Sequence, residues 1–174
     1  GTWTEPIYLL RIEDKNGNML YERKPKIVFA INEQTAYVIT QMLKGVVENG
    51  TGSRLRTKYG LTNPIGGKTG TTQNNSDGWF MGLTPDLVTG VWVGAEDRSV
   101  RFNSLSMGMG TNTALPVFAY YTKYINADDS LNISQEDFQM PETMLKSPID
   151  CNEAINNTKV KDELEDEWSN DDNW

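Results

Sequence analysis

The sequence contains no histidine. That removes serine–histidine–aspartate and cysteine–histidine catalysis, histidine zinc sites and imidazole pH sensing in one step. One cysteine, Cys151, is present, so no internal disulfide can close and no cysteine-rich metal site can form. Nothing approaches the run of about 18 apolar residues that a membrane-spanning helix needs. At Gly1 there is no Met start, no basic segment and no apolar segment, so the reading expects no signal peptide and a piece of a longer protein. Positive charge is scarce beside negative charge, 16 Lys and Arg against 24 Asp and Glu. The imbalance is local. Asp150 to Trp174 holds nine acids and two lysines, which leaves the first 149 residues close to neutral. A neutral body offers no electrostatic reason to bind nucleic acid.

What is present reads as one folded body followed by a polar tail. At 174 residues with 37% hydrophobic side chains, the chain suits one domain with a real core. Pro6 to Lys24 alternates on both sides of Asp14-Lys15-Asn16-Gly17, a hairpin with an Asn-Gly turn. Asn32 is placed as an N-cap. Ala36, Ile39, Met42, Leu43, Val46 and Val47 follow at helical spacing, and Asn49-Gly50 ends the run. The spacing predicts a helix over 33–48. The stretch from Thr51 to Pro64 is polar and punctuated by glycine, and reads as a loop. Strands are expected over 65–72, 79–83 and 88–94, the last two joined by the turn Thr84-Pro85-Asp86-Leu87. Gly82, Gly90 and Gly94 in or beside them imply packing against something flat or a close backbone approach. Arg101 to Ala114 reads as a flexible connection. A last helix is predicted to open with Pro116 in its first position and to run to Ile125. From about residue 150 the composition predicts disorder. Hairpin, helix, strand, hairpin and helix in that order imply an α+β fold, an antiparallel sheet flanked by helices.

The stretch Gly66-Gly67-Lys68-Thr69-Gly70-Thr71-Thr72 invites a phosphate-loop reading. A phosphate loop ending at Gly67-Lys68-Thr69 needs its first glycine at position 62, which is Thr62; Gly60 is two positions away. No buried strand precedes it and Thr71 to Phe80 is a poor helix opening, so no helix N-terminus faces a phosphate. The other reading takes Lys68-Thr69-Gly70 as a unit on a strand. A Lys and a Thr bind a carboxylate by charge and by hydroxyl. Gly70 lets a ligand lie flat on the strand, and Thr71 adds a hydroxyl and a backbone N–H, as strand addition of a peptide requires.

The surroundings are more specific. Gly67 to Asp97, "GKTGTTQNNSDGWFMGLTPDLVTGVWVGAED", and Thr35 to Arg56, "TAYVITQMLKGVVENGTGSRLR", closely resemble the transpeptidase domain of class A penicillin-binding proteins. The opening hairpin and Ala114 to Ile125 are similar to the same enzymes, so the resemblance covers residues 3–126. It implies a penicillin-binding-protein and serine β-lactamase-like α+β fold, with residues 1–126 as the C-terminal portion of the domain and 127–174 as a polar to acidic tail. These enzymes use S-x-x-K, S-x-N and K-T-G. Only K-T-G is in place. No S-x-x-K occurs, and Ser130-Leu131-Asn132 follows K-T-G instead of preceding it. The resemblance therefore implies an incomplete domain whose nucleophile lies upstream of Gly1.

The implied activity is peptidoglycan D,D-transpeptidation by serine acyl transfer, with acylation by β-lactams, in a parent that also polymerises glycan. Lys68 would supply positive potential in the cleft. The Thr69 and Thr71 hydroxyls would hold the terminal carboxylate, Gly70 would let the substrate lie against the strand, and the Thr71 N–H would be an oxyanion donor. No cofactor or metal is implied. The implied partners are peptidoglycan stem peptides, β-lactams and other cell-wall synthesis proteins. The parent would be anchored to the cytoplasmic membrane, facing its outer side. A non-catalytic peptidoglycan- or partner-binding module and a monofunctional D,D-carboxypeptidase or β-lactamase relative remain alternatives. Trp79, Phe80 and Trp92 are expected to pack between sheet and helices. Asp77 is expected to fix the turn after the K-T-G strand, and Asp86 the next turn. Arg54, Arg56 and Lys58 are expected to be a solvated loop, and Tyr120, Tyr121 and Tyr124 packing or interface residues.

Overall fold

A computed structural model describes residues 1–143. The acidic run from Asp150 and Cys151 lies outside the described residues. Among the described residues, Gly1–Val38 together with residues 141–143 forms one compact unit, and Ile39–Met140 another.

The first unit holds two antiparallel strand pairs. β1 (Thr2–Thr4) pairs with β4 (Ile27–Phe29), and β2 (Arg11–Glu13) with β3 (Met19–Glu22). The β2–β3 pair is the expected hairpin. Its turn is organised by Asp14, whose Oδ1 accepts the N–H groups of Asn16 at 2.8 Å and Asn18 at 2.9 Å. Gly17 sits at φ +84°, which the Asn-Gly pair was expected to allow. Helix α1 (Glu33–Asn49) begins where its cap was placed, with the Asn32 Oδ1 accepting the Gln34 N–H at 2.8 Å.

The second unit contains the core. Three strands, β5 (Gly66–Thr71), β6 (Gly78–Leu83) and β7 (Val88–Val93), form an antiparallel sheet in that order. Opposed residues include Lys68 with Met81, Thr69 with Phe80, Gly70 with Trp79 and Thr71 with Gly78. On β7 the partners of Phe80 and Trp79 are Val91 and Trp92. Phe80 is fully buried and meets Phe118 of α4 (Ala114–Ala127) with ring centroids 4.8 Å apart. Gly82 explains the close approach: a Cβ there would stand 2.3 Å from the Phe118 ring. For Gly82 the flat object is this ring; a Cβ at Gly90 would instead meet the Met81 sulfur at 3.0 Å, and one at Gly94 the Asp77 Oδ1 at 2.7 Å. α4 starts two residues before Pro116, so the proline is its third residue. That is compatible, because N–H groups of the first turn have no intrahelical acceptor.

Two stretches expected to be irregular contain short helices. Within 51–64 lies α2 (Arg54–Thr57), and within 101–114 lies α3 (Leu105–Gly108), capped by Ser104, whose hydroxyl accepts the Met107 N–H. The local sequence is polar, but Leu55 is fully buried and Tyr59 and Leu61 nearly so; burial of these three in the core overrides the loop composition. The basic cluster is helical, with Arg54 and Lys58 exposed as expected and Arg56 half-buried. Arg56 pairs with Glu48 at 2.7 Å and donates to the carbonyls of Leu61 and Asn63, both at 2.8 Å, and Arg54 bonds Asn112. Past α4, Ser134 donates its N–H to Asp86 at 2.7 Å and Asp137 pairs with Lys44 of α1 at 2.6 Å.

Candidate active site

β5 carries the K-T-G residues and is an edge strand of its sheet. The backbone alternation follows from one bond. The Thr72 N–H donates to the Asp77 carbonyl at 3.1 Å. In an antiparallel ladder the bonded residues alternate, so the even positions Lys68 and Gly70 turn their backbone groups to β6. The odd positions Thr69 and Thr71 turn theirs to the open edge. The Lys68 Nζ donates to the Thr69 carbonyl at 2.9 Å, as an outward-facing carbonyl permits.

Side chains alternate as well. Thr69 and Thr71 share the face of Phe80; Lys68 and Gly70 share the face of Met81, Trp79 and Trp92. The Thr69 hydroxyl lies 2.9 Å from that of Thr51. The Thr71 hydroxyl accepts the Gly110 N–H at 3.1 Å, which leaves its own proton free to donate. The strand thus offers a cation on one face, two hydroxyls on the other, and outward-facing N–H and C=O groups along the edge between them, of which the Thr69 carbonyl is bonded by Lys68. Gly70 lies close to its neighbour: a Cβ would stand 3.1 Å from the Trp79 Cβ, a tight contact that Trp79 would have to relieve by a shift of a few tenths of an ångström.

Asp77 holds the turn that ends the strand, as expected. Its Oδ2 accepts the hydroxyls of Thr72 at 2.7 Å and Ser76 at 2.8 Å, and its Oδ1 accepts the Trp92 indole N–H at 2.9 Å. The Thr72 hydroxyl, then the Trp92 indole and the Ser76 hydroxyl, hold the Asp77 carboxyl below the usual carboxylate range. The aromatic expectation divides. Phe80 packs in the core, but Trp79 and Trp92 stack on the other face of the sheet, centroids 6.2 Å apart, and remain 40% and 47% exposed. Period-2 alternation separates Phe80 from Trp79 even though they adjoin in sequence. Tyr120 packs edge-on against Tyr59, centroids 5.7 Å apart.

Sequence reasoning missed Thr51 and Gly110 as neighbours of the site and the reach of Asp77 to Trp92. Only the last left a trace, an acid at the β5–β6 turn opposite a strand tryptophan. Among the described residues no group of acidic, cysteine or histidine side chains could hold a metal, and no helix is long and apolar enough to cross a membrane.

An antiparallel sheet with helices packed on it, its edge strand carrying Lys-Thr-Gly, defines the class. The same fold occurs in the crystal structure of Penicillin-Binding Protein 1A from Haemophilus influenzae, with a TM-score of 0.66 over 80% of this chain and 25% of that one, at 22% identity. The chain belongs to the penicillin binding protein transpeptidase domain family, whose model matches residues 1–101. It is 38% identical over 120 residues to Penicillin-binding protein 1B of Vibrio cholerae, covering 68% of this chain and 15% of that protein. It is 34% identical over 141 residues to Penicillin-binding protein 1A of Aquifex aeolicus, covering 81% and 18%. The chain thus spans less than a fifth of the length of these relatives.

Proposed function

We propose that this chain is the C-terminal part of the crosslinking domain of a class A penicillin-binding protein. That protein would join peptidoglycan stem peptides by serine acyl transfer and polymerise glycan through another domain, anchored to the cytoplasmic membrane and facing its outer side. The reading rests on the family membership together with one geometric observation, the outward N–H and C=O groups of Thr69 and Thr71 on an uncovered strand edge.

A stem peptide ending in D-Ala–D-Ala adds to that edge as a strand. The Thr69 and Thr71 hydroxyls donate to its terminal carboxylate, and Lys68 supplies the compensating charge. A serine from residues outside this chain attacks the penultimate carbonyl. Its hydroxyl proton leaves to a base, the D-alanine amine departs protonated, and an ester to the donor stem remains. The Thr71 N–H donates to the carbonyl oxygen as it becomes an oxyanion; loss of one such donor lowers the rate by about 10²–10³-fold. An amine of a second stem then takes the acyl group. β-Lactams place their ring carbonyl at the same position and stop at the ester. Lys68 as the charged group of the cleft is consistent with the absence of histidine.

Fluorescent penicillin tests this directly. The full-length protein that carries this chain is expected to form a covalent adduct, stable to denaturing electrophoresis, and the 174-residue chain alone to form none. An adduct on the chain alone would show that the nucleophile lies within it, and an unlabelled full-length protein would remove the transpeptidase reading.

A further inference from the structure

The Thr69 and Thr71 hydroxyls of β5 each have one neighbour behind them, and both neighbours come from loops distant in sequence. Thr71 accepts the Gly110 N–H at 3.1 Å. The Thr69 hydroxyl lies 2.9 Å from that of Thr51. Neither the Thr51 nor the Thr69 hydroxyl has another partner among the described residues. A backbone N–H can only donate, which fixes the sense of the Gly110 contact. Two hydroxyls can bond in either sense, so the Thr51 contact is decided by what the Thr69 proton must serve.

Both sides of this contact are anchored by backbone. Thr51 lies in the turn between α1 and α2. The N–H groups of Gly50 and Gly52 both donate to the Val46 carbonyl, at 3.1 and 3.0 Å, and the Ser53 N–H donates to the Gly50 carbonyl at 3.1 Å. The turn is drawn tightly onto the end of α1, since a Cβ at Gly52 would stand 3.2 Å from the Val46 carbonyl oxygen. β5 lies equally close to the same helix. A Cβ at Gly66 would stand 3.2 Å from the Leu43 Cβ. Packing does not account for the Thr51 side chain, which is exposed, while Thr69 is half-buried. What Thr51 brings to the strand is a hydroxyl.

We propose that Thr51 is a positioning residue for the donor's terminal carboxylate: its hydroxyl donates to the Thr69 oxygen and so turns the Thr69 proton toward the carboxylate. The inference rests on the transpeptidase reading, in which the Thr69 and Thr71 hydroxyls both donate to that group. An ionised carboxylate only accepts, and a threonine hydroxyl has a single proton. With the donor bound, Thr69 gives that proton to the carboxylate, and the contact with Thr51 is left with one sense, Thr51 to Thr69. The two strand hydroxyls then work alike. Each receives a bond from behind, from the Gly110 N–H or the Thr51 hydroxyl, and each passes its own proton forward. A hydroxyl whose oxygen already accepts a bond is polarised and donates more strongly. Thr51 acts through Thr69 and makes no contact with the donor itself.

The test uses the full-length protein and reads the second-order rate of acylation by benzylpenicillin, which carries a carboxylate, and by its methyl ester, which does not. Thr51→Val keeps the shape of the side chain and removes the hydroxyl. It is expected to lower the rate with benzylpenicillin by about 3- to 10-fold, the range of one hydrogen bond. The rate with the ester is expected to fall by less than about 2-fold, because an uncharged acceptor makes the weaker bond. Thr51→Ser keeps a hydroxyl and is expected to stay within about 2-fold of wild type on both compounds. A double-mutant cycle separates action through Thr69 from action beside it. Once Thr69→Val has removed the relay, adding Thr51→Val is expected to cost less than about 2-fold. An undiminished loss in the Thr69→Val background would overturn the inference. So would equal losses on acid and ester, which mark a structural role. An unchanged or faster reaction of Thr51→Val with benzylpenicillin would overturn it too, by showing that Thr69 donates to Thr51. Failure of the transpeptidase reading is separable, because it appears as a wild-type protein that benzylpenicillin does not acylate.

Discussion

Gly82 sets the distance between the sheet and α4. Its missing Cβ lets the Phe118 ring rest on the β6 backbone, where an added methyl would stand 2.3 Å from a ring carbon. Neither backbone nor buried ring can yield cheaply, so Gly82→Ala is expected to destabilise the fold by about 1–3 kcal/mol, read as a lower urea midpoint. Adding Phe118→Leu to Gly82→Ala should cost less than the sum of the two single changes, because the smaller side chain vacates the contact. Asp77 acts through hydrogen bonds instead of volume. Its carboxyl is held below the ordinary value of 3.8 by the Thr72, Trp92 and Ser76 donors. A depressed folded-state pKa contributes stability that is fully present above the ordinary value and is lost as pH falls through the folded one. Acidification below about pH 4 should therefore lower the wild-type melting temperature more steeply than that of Asp77→Asn, which no longer titrates. Equal slopes in a thermal-melt series across that range would refute the linkage.

At the scale of elements, one bond decides what β5 can present. The Thr72–Asp77 bond puts the backbone of Thr69 and Thr71 on the open edge; a one-residue slip would turn Lys68 and Gly70 outward and move the hydroxyls to the other face. The glycines opposite bulky residues oppose such a slip. Helix α1 was legible down to its cap, since Asn32 and the helical spacing of its apolar residues are both local. Helix α2 was not, because four residues around Leu55 make too short a pattern to detect; their helicity depends on the core that Leu55 enters. The segment after α4 is joined to the second unit by Lys44–Asp137 and Asp86–Ser134. Asp137 is substantially exposed, so Asp137→Asn is expected to lower stability by only about 0.2–1 kcal/mol, with the difference shrinking in 1 M salt. A salt-independent loss in denaturant titrations would show that something other than the ion pair holds the segment.

At the scale of the whole molecule, burial is uneven. Among the described residues the buried side chains other than Pro141 belong to Ile39–Met140, while every residue of β1 to β4 is exposed. On the three-stranded sheet, Trp79, Met81 and Trp92 form an apolar row on the face shared with Lys68, between 40% and 47% exposed. A row of that kind is a surface that apolar probes bind. The 174-residue chain is accordingly expected to enhance the fluorescence of an apolar dye such as ANS at neutral pH. Trp79→Ser with Trp92→Ser should reduce the enhancement; unchanged dye binding would place the apolar surface elsewhere.

The sequence by itself determined the elements with strong local signals: the Asn-Gly hairpin, α1 and its cap, and the three strands around K-T-G. It also carried the resemblance that the family match then bore out. Tertiary structure decided what depends on contacts between distant positions. It separated Phe80 from Trp79 by strand alternation, converted a polar loop into α2 by burying Leu55, and aimed Asp77 at Trp92. It also brought the Thr51 hydroxyl to that of Thr69. Local propensity and spacing see only neighbours along the chain, whereas register and packing set which side chains share a face and which backbone groups remain open to a ligand.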